Sequence, residues 1–170
     1  TSIYVKINQM EIISRGLAET EVLAVKLLGK LVEPGPKGKA TVVSLFGDLG
    51  SGKTTFTQAI ARTLGITKRV TSPTFVIMKT YAIPEKWQGF PLSRSKGNLF
   101  YPWKRLVHID CYRLDRLDDL LHLGWAELVD DRENLILVEW PERVGNLLSS
   151  PALKIKFEII NETTRKIIYG

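Results

Sequence analysis

The chain has 170 residues, of which 44% are apolar and 25% are charged, and its net charge is +6. This length and balance are typical of one soluble globular domain, and the positive charge suits an anionic ligand or partner, including RNA. The apolar runs are too short to span a bilayer, and one cysteine with two histidines excludes an internal disulfide and a standard structural zinc site. We therefore expect a cytoplasmic protein without a membrane partner.

The first half of the chain alternates strand and helix patterns. Apolar residues at every second position predict a strand over Ile3–Ile7, and apolar residues four apart predict an amphipathic helix around Leu23–Val32. A β-branched apolar run predicts a buried strand over Thr41–Phe46. A second helix is expected from about Lys53 to Leu64, and Gly65 is a suitable C-terminal stop for it.

The second half continues this alternation and ends in a predicted hairpin. The predicted elements are strands at Thr74–Ala82, Leu106–Tyr112 and Leu135–Glu139, a helix broken at Gly124 within Leu117–Val129, and hairpin strands at Leu153–Ile160 and Lys166–Tyr169. We expect a single α/β domain over residues 1–170, in which a mostly parallel central sheet lies between helical layers and a C-terminal antiparallel hairpin completes it.

The periodic pattern lapses between Pro84 and Lys104, which we interpret as a long insertion loop. The stretch holds four basic side chains against one acid and is interleaved with aromatic residues: Trp87, Phe90, Phe100, Tyr101 and Trp103. Cations beside aromatic rings suit RNA, and they equally suit a protein interface. The third interpretation is that the rings pack back onto the domain.

The segment Gly47–Thr54 matches G-x-x-x-x-G-K-[ST], the phosphate loop of nucleoside triphosphatases, and lies between a predicted strand and a predicted helix. Its glycines permit turns that aim backbone N–H groups at an anion, Lys53 adds a charge for the β and γ phosphates, and the Thr54 hydroxyl is a ligand for Mg²⁺. We therefore predict ATP and Mg²⁺ as cofactors and a fold of the P-loop NTPase type. The residues expected to contact the nucleotide here are Asp48, Leu49, Gly50, Ser51, Gly52, Lys53, Thr54 and Thr55.

Two acidic residues end predicted buried strands, Asp110 after Leu106–Ile109 and Glu139 after Leu135–Val138. Ligands of open α/β sheets bind beyond the carboxyl ends of the strands, so both acids are suitably placed for a magnesium site. Either acid alone could instead cap a loop or pair with a base, but the phosphate loop favours the metal role.

Other chemistries have less support in the sequence. In a strand, His108 and Asp110 share one face and Cys111 has the other, which disfavours a thiolate activated by His108 and favours a core cysteine. No Asn-Lys pair is present, so the guanine-binding signature is absent and ATP is favoured over GTP. Trp140 follows Glu139 and could stack on a base, contact a partner or pack in the core.

Four motifs occur in the order and approximate spacing of the TsaE family: Gly47–Thr55, Ser72–Phe75, His108–Arg113 and Glu139–Glu142. The chain resembles this family, bacterial ATPases needed to make threonylcarbamoyladenosine, a tRNA modification next to the anticodon, from about Ser14 to Tyr169. Two features depart from the family pattern. Cys111 stands where an apolar residue is usual, and the stretch 84–104 is longer than usual.

The resemblance implies a catalytic and metal-binding set. Lys53 matches the phosphate-binding lysine and Thr54 the magnesium-binding threonine. Asp110 matches the essential acid of the H-x-D-x-Y-R stretch, and Glu139 matches the acid near the metal. Catalysis would then rest on Lys53, Asp110 and Glu139, and the metal on Thr54, Asp110 and Glu139.

The resemblance also implies partners. Ser72 and Thr74 match a switch-like segment that responds to the γ-phosphate, and Trp140 matches a tryptophan beside the nucleotide. The family's ATPase is weak alone and works with the TsaB–TsaD complex, which carries out the transfer to tRNA, so this chain would not be the transferase. Contact with tRNA would be direct or through that complex. The alternatives are a small-molecule kinase and a nucleotide-gated binding module without significant turnover.

Overall fold

A computed structural model of the chain describes residues 9–32, 38–85, 101–148 and 151–170. The strands of this part are β1 Met10–Ser14, β2 Thr41–Phe46, β3 Met78–Ala82, β4 Arg105–Asp110, β5 Asn134–Glu139, β6 Leu153–Ile159 and β7 Arg165–Tyr169. The helices are α1 Leu17–Leu31, α2 Lys53–Thr63, α3 Leu117–His122 and α4 Trp125–Asp130, and a kinked 3₁₀ segment covers Pro141–Leu148.

All seven strands of the described residues join one sheet in the order β1-β7-β6-β2-β5-β4-β3. The four central strands, β6, β2, β5 and β4, run parallel to one another, and the pairings β4–β3, β6–β7 and β7–β1 at the two edges are antiparallel. The α/β fold and the closing β6–β7 hairpin are confirmed. The sheet as a whole is mixed, because its parallel part is confined to the centre, where helices cover both faces.

Two apolar cores lie on the two faces of the sheet. Alternate residues of β5 enter different cores, Leu135 and Leu137 on one side and Ile136 and Val138 on the other. Helices α1 and α2 cover the first core, and α3, α4 and the 3₁₀ segment cover the second. This is the expected arrangement of three layers, and it explains why β2, β4 and β5 are buried on both faces. Cys111 lies fully buried in the second core, and burial raises the pKa of its thiol to about 12.

The predicted strand Thr74–Ala82 is shorter in the structure, where β3 begins at Met78. The residues before it form a turn in which Ile77 has a φ of +66°, a left-handed conformation that a β-branched residue rarely adopts. Side-chain hydrogen bonds from Ser72 and Thr74 hold this turn against Asp110. A tertiary contact therefore overrides the local β propensity of the sequence.

Two of the predictions concern parts of the chain that the structure describes incompletely. The strand predicted at Ile3–Ile7 and residues 86–100 of the insertion loop lie outside the described residues. At the end of the loop, the buried Trp103 donates a hydrogen bond from Nε1 to Thr41 Oγ1 at 2.9 Å, and the Tyr101 ring stacks on it at 6.0 Å. These two rings therefore pack onto the domain.

None of the described helices has the length and apolarity needed to cross a membrane.

Candidate functional site

The turn from β2 into α2 forms a loop whose glycines are required by geometry. Gly47 has a φ of +135°, and a Cβ there would overlap the carbonyl oxygen of Phe157 and lie 2.7 Å from Ser51 Oγ. Gly52, with a φ of +110°, is the residue before the first turn of α2. The loop is thereby curled at the N-terminus of a helix, where free N–H groups and the helix dipole favour an anion.

The amino group of Lys53 is folded back into this loop. Its Nζ donates hydrogen bonds to the carbonyl oxygens of Gly47 at 2.6 Å and Asp48 at 2.9 Å, and the side chain is only 4% exposed. Burial lowers the pKa of Lys53 below its ordinary value, although the nearby carboxylates of Glu139 and Asp110 act in the opposite direction. The amino group also lies 4.2 Å from the ring centroid of Trp140. It is a buried cation positioned at the centre of a loop that favours an anion.

Glu139 connects the loop to the sheet. Its Oε1 accepts a hydrogen bond from Thr54 Oγ1 at 2.9 Å and lies 2.8 Å from Nε2 of His108. Glu139 is 3% exposed and His108 is fully buried. If the carboxylate is ionised it can only accept, which makes Nε2 of His108 the donor in this contact. The His108 ring therefore fixes the orientation of the carboxylate beside Thr54.

Asp110 holds the turn before β3, which we call the switch segment (residues 71–77). Its Oδ2 accepts hydrogen bonds from Ser72 Oγ at 3.1 Å and from Thr74 Oγ1, and its Oδ1 accepts one from the backbone N–H of Tyr112 at 2.9 Å. Asp110 and Glu139 are register partners on the parallel pair β4–β5. The two acids thus lie side by side at the carboxyl edge of the sheet, as the sequence predicts.

One cavity of about 360 Å³ brings these groups together. It is lined by Leu49, Gly50, Gly52, Lys53, Thr54, Thr55, Ser72, Thr74, Asp110, Tyr112, Glu139 and Trp140. Two of the residues predicted to contact a nucleotide stand apart from it: Asp48 contacts Lys53 through its carbonyl oxygen, and Ser51 lines a neighbouring cavity. The other predicted site residues all line the 360 Å³ cavity.

A second cavity, of about 240 Å³, lies next to the first and shares Gly50, Gly52 and Thr55 with it. The start of α1 contributes Gly16, Leu17 and Thr20 to its wall. The rest of the wall comes from the loop and the β6–β7 hairpin: Ser51, Phe157, Glu162, Thr163 and Arg165. The phosphate-loop glycines therefore lie between a cavity that contains Asp110 and Glu139 and a second cavity in which the acidic residue is Glu162.

Aromatic side chains surround the acid side of the first cavity. The rings of Tyr112 and Trp140 lie 5.1 Å apart, and the Arg143 guanidinium lies 5.6 Å from the Tyr112 centroid. Trp140 has a φ of +56°, a strained conformation for a bulky residue, which turns its ring over Lys53. Phe75, in the switch segment next to this cavity, is 84% exposed, and the Arg113 guanidinium lies 4.3 Å from the centroid of its ring.

The family model for the threonylcarbamoyl adenosine biosynthesis protein TsaE matches residues 15–167. The chain belongs to the TsaE family. Members of the family function in the biosynthesis of threonylcarbamoyladenosine in tRNA, which agrees with the resemblance seen in the four motifs. The match includes all the residues that line the two cavities.

Individual TsaE proteins support the same assignment. The chain is 34% identical to the Bacillus subtilis TsaE over 151 residues, covering 89% of this chain and 78% of that protein. It is 33% identical to the Rickettsia felis TsaE over 148 residues, covering 86% and 71%. A crystal structure of Bacillus subtilis YdiB superposes with a TM-score of 0.63 at 28% identity, covering 95% of this chain and 84% of that one.

Sequence reasoning did not assign three residues of this TsaE site. His108 and Tyr112 belong to the H-x-D-x-Y-R motif, and their two-residue spacing from Asp110 was the available signal for a shared side of the strand. Arg165 contacts the phosphate loop across 114 positions of the chain. No local pattern marks such a long-range contact, so it required the structure.

Proposed function

We propose that this protein binds ATP with Mg²⁺ and hydrolyses it slowly, as an ATPase that serves threonylcarbamoyladenosine synthesis together with a TsaB–TsaD-type complex. The observation that carries the proposal is the single cavity in which Lys53 and Thr54 of the phosphate loop face Asp110 and Glu139. A buried cation, a helix N-terminus and two carboxylates on one side are suited to a triphosphate and its metal.

The residues of the first cavity are suited to both a triphosphate and Mg²⁺. Gly47 sits where any side chain would collide with β6, and so keeps the loop narrow around an anion. Lys53 has no carboxylate partner at ion-pair distance in the described part of the chain, so its charge is available to phosphate oxygens. The Thr54 hydroxyl and the Glu139 carboxylate are hard oxygen ligands close enough to share one Mg²⁺. When bound, that ion would neutralise charge on the phosphates.

The two acids have different surroundings, which favours different roles. Glu139 is paired with the metal-ligating hydroxyl of Thr54, and His108 fixes its orientation. We assign it to the metal, directly or through water. Asp110 holds Ser72 and Thr74 of the switch segment. We assign it to the coupling of that segment to the γ-phosphate, with a share in metal binding.

The second cavity is the place for the nucleoside. In this proposal the γ-phosphate lies at the end of the loop near Thr54 and the two acids. The nucleoside of the bound nucleotide then extends from the other end of the loop, past Thr55. The 240 Å³ cavity begins there, since it shares Thr55 and two glycines with the first. Its wall offers the apolar Leu17 and the polar Thr20 and Thr163, which suits a base with a ribose.

The proposed partners follow from the family. The proteins similar to this chain are named for threonylcarbamoyladenosine biosynthesis in tRNA. In this proposal, ATP turnover in the chain acts on the partner complex, which carries out the transfer, and tRNA is engaged through that complex or at the exposed rim around Phe75.

The test begins with the fluorescence of Trp140, which lies against Lys53. Titration should give a saturable change with ATP and Mg²⁺, a weaker one with GTP, and none in Trp140→Phe. Lys53→Ala should weaken binding by roughly 1.5–3 kcal/mol, or about ten- to a hundred-fold, because it removes a charge-assisted contact. Tighter binding of GTP would refute the choice of nucleotide.

Turnover distinguishes the proposed ATPase from a kinase and from a binding module. Phosphate release should be slow with the chain alone and faster with the TsaB–TsaD pair. Transfer of label from γ-labelled ATP to a small acceptor would instead indicate a kinase. Binding without phosphate release, even with the pair present, would indicate a nucleotide-gated module.

A further inference from the structure

The side chain of Arg165, at the start of β7, reaches the outer side of the phosphate loop. Its Nε donates to the carbonyl oxygen of Ser51 at 3.0 Å, and its Nη2 donates to that of Gly50 at 3.2 Å. The guanidinium thus bridges two successive carbonyl groups of the loop. A planar fork of donors is suited to this kind of two-point contact, whereas an ammonium group is not.

The other end of the guanidinium is fixed to the β6–β7 turn. Nη1 donates to the carbonyl oxygens of Asn161 at 2.8 Å, Thr164 at 3.0 Å and Glu162 at 3.3 Å. The hydrogen bonds to the hairpin therefore fix the orientation in which the guanidinium contacts the loop. The same hairpin bounds the loop at Gly47, where β6 leaves no room for a Cβ.

The orientation of these carbonyls determines where the N–H groups point. In a planar trans peptide the C=O and the following N–H point in opposite directions. With the Ser51 carbonyl directed at Arg165, the N–H of Gly52 is directed away from Arg165, towards the side where Lys53 and Thr54 begin the helix. The N–H of Ser51, which shares a peptide with the Gly50 carbonyl, donates instead to the carbonyl oxygen of Asp48 at 3.1 Å, so the N–H available to an anion is that of Gly52.

The charge of Arg165 has no acidic partner in the described part of the chain, where its contacts are all carbonyl oxygens. Carbonyl dipoles do not cancel its charge, so it remains a source of positive potential behind the loop. Both the orientation of the Ser51–Gly52 peptide and the charge of Arg165 therefore favour phosphate on the side of the loop opposite Arg165.

We propose that Arg165 is a positioning residue for the phosphate loop: it holds the carbonyl of Ser51 outward, so that the loop presents the N–H of Gly52 to the phosphates before the nucleotide arrives. The inference rests on the proposed ATP binding and adds a residue to it. It assigns a nucleotide-dependent role to the C-terminal hairpin, which contributes no residue to the phosphate-loop motif.

The test uses two ligands that differ only in the nucleoside. Because Arg165 also lines the second cavity, loss of ATP binding alone would not identify its role. ATP and inorganic tripolyphosphate should therefore be compared, each displacing a fluorescent ATP analogue with Mg²⁺ present. The variants are Arg165→Ala, Arg165→Gln and Arg165→Lys. The matched control is Lys166→Ala, which removes the same charge from the neighbouring position, where Lys166 pairs with Glu11.

All variants are measured at a temperature where circular dichroism shows them folded, and Arg165→Lys and Arg165→Gln serve as the test if Arg165→Ala does not fold. The three Arg165 variants should lose about ten- to a hundred-fold in affinity for both ligands, and Lys166→Ala less than about three-fold. A loss of affinity for ATP but not for tripolyphosphate would mean that Arg165 contacts only the nucleoside. Full affinity for both ligands in Arg165→Lys would mean that Arg165 acts through its charge and not through its geometry. Either result, or unchanged binding in Arg165→Gln, overturns the proposal, whereas failure of the unsubstituted protein to bind ATP refutes the proposed function itself.

Discussion

The hydroxyl of Thr54 donates a hydrogen bond to Oε1 of Glu139 across 2.9 Å, which joins the first turn of α2 to the end of β5. The same carboxylate oxygen contacts His108 on β4. One oxygen atom therefore connects three elements of the fold, and its position is set before any ligand binds. In the proposed function, Thr54 and Glu139 would hold Mg²⁺ at this place.

The first prediction concerns this pair. Glu139→Gln should lower ATP hydrolysis by about a hundred-fold or more while changing ATP affinity without Mg²⁺ by less than about three-fold, because the carboxylate serves the metal and not the base. Thr54→Ala should lose the Mg²⁺ enhancement of binding, and Thr54→Ser, which keeps the hydroxyl, should retain it. Calorimetry with and without Mg²⁺, together with phosphate release, measures both effects. Normal hydrolysis in Glu139→Gln would remove this residue from the site.

The second prediction concerns Asp110 and the hydroxyl groups of Ser72 and Thr74, from which it accepts hydrogen bonds. Asp110→Asn should reduce hydrolysis more than ATP affinity, since the acid holds the switch segment and does not line the second cavity. Thr74→Val should reproduce a large part of that loss, because it removes one of the two hydroxyl contacts. In a double-mutant cycle the two substitutions should be strongly non-additive. Additive effects on turnover would mean that Asp110 acts independently of Thr74.

The third prediction follows from the lowered pKa of Lys53. Burial lowers it in the free protein, and the negative charge of bound phosphates favours the protonated form and raises it in the complex. Between these two pKa values, binding takes up a proton, so ATP affinity should fall as the pH rises through the value of the free protein. Calorimetry over a series of pH values up to the ordinary pKa of a lysine, in buffers of different ionisation enthalpy, should detect the uptake. Lys53→Arg should abolish it, because a guanidinium stays protonated throughout.

The same shift fixes the sign of a stability effect. Below the lowered pKa of Lys53 the free fold carries the cost of a buried charge. The unfolded chain binds more protons than the folded one between that value and the ordinary pKa of a lysine. The free energy of unfolding of the nucleotide-free protein should therefore gain from this group as the pH rises through that range. Urea unfolding of the unsubstituted protein and of Lys53→Arg would measure the difference, and equal slopes with pH would contradict it.

The fourth prediction separates collision from backbone strain at two glycines. Gly47→Ala should lower the free energy of unfolding by about 3 kcal/mol or more, because its Cβ meets the Phe157 carbonyl and Ser51 Oγ at a positive φ. Gly145 has a φ of +60° and a ψ of −136°, and no atom lies within 4 Å of the position that a Cβ would take there, so Gly145→Ala should cost less, about 1–3 kcal/mol from backbone strain. Urea denaturation measures both values. Equal losses would show that the collision with β6 adds nothing.

Much of the central fold could be predicted because local patterns agree with the tertiary structure there. β2, β4 and β5 are short apolar runs buried on both faces, and each was placed within about two residues, as expected for boundary definitions. The period of two in β4 also placed His108 and Asp110 opposite Cys111 correctly, since this depends only on backbone geometry.

What sequence reasoning missed depends on contacts between distant segments. The run at Thr74–Ile77 has strand-forming residues, but its conformation is decided by Asp110, which no local propensity reports. The antiparallel pairing of β3 with β4 is likewise a property of the sheet edge and not of either strand's composition. Arg165 is one arginine among many by sequence, and only its approach to the loop carbonyls distinguishes it.

The register that places Asp110 opposite Glu139 has a consequence for the entropy of binding. Both acids end fully hydrogen-bonded central strands, so their freedom is lost when the protein folds and not when a ligand arrives. The switch segment is different, since side-chain hydroxyls hold it and its Phe75 is exposed. Ordering a backbone costs about 1–2 kcal/mol per residue, so in the proposed function that short segment would carry an entropic cost of nucleotide binding that the two acids do not. Affinity should therefore be adjustable by glycine or proline substitutions there, with little effect on the rest of the fold.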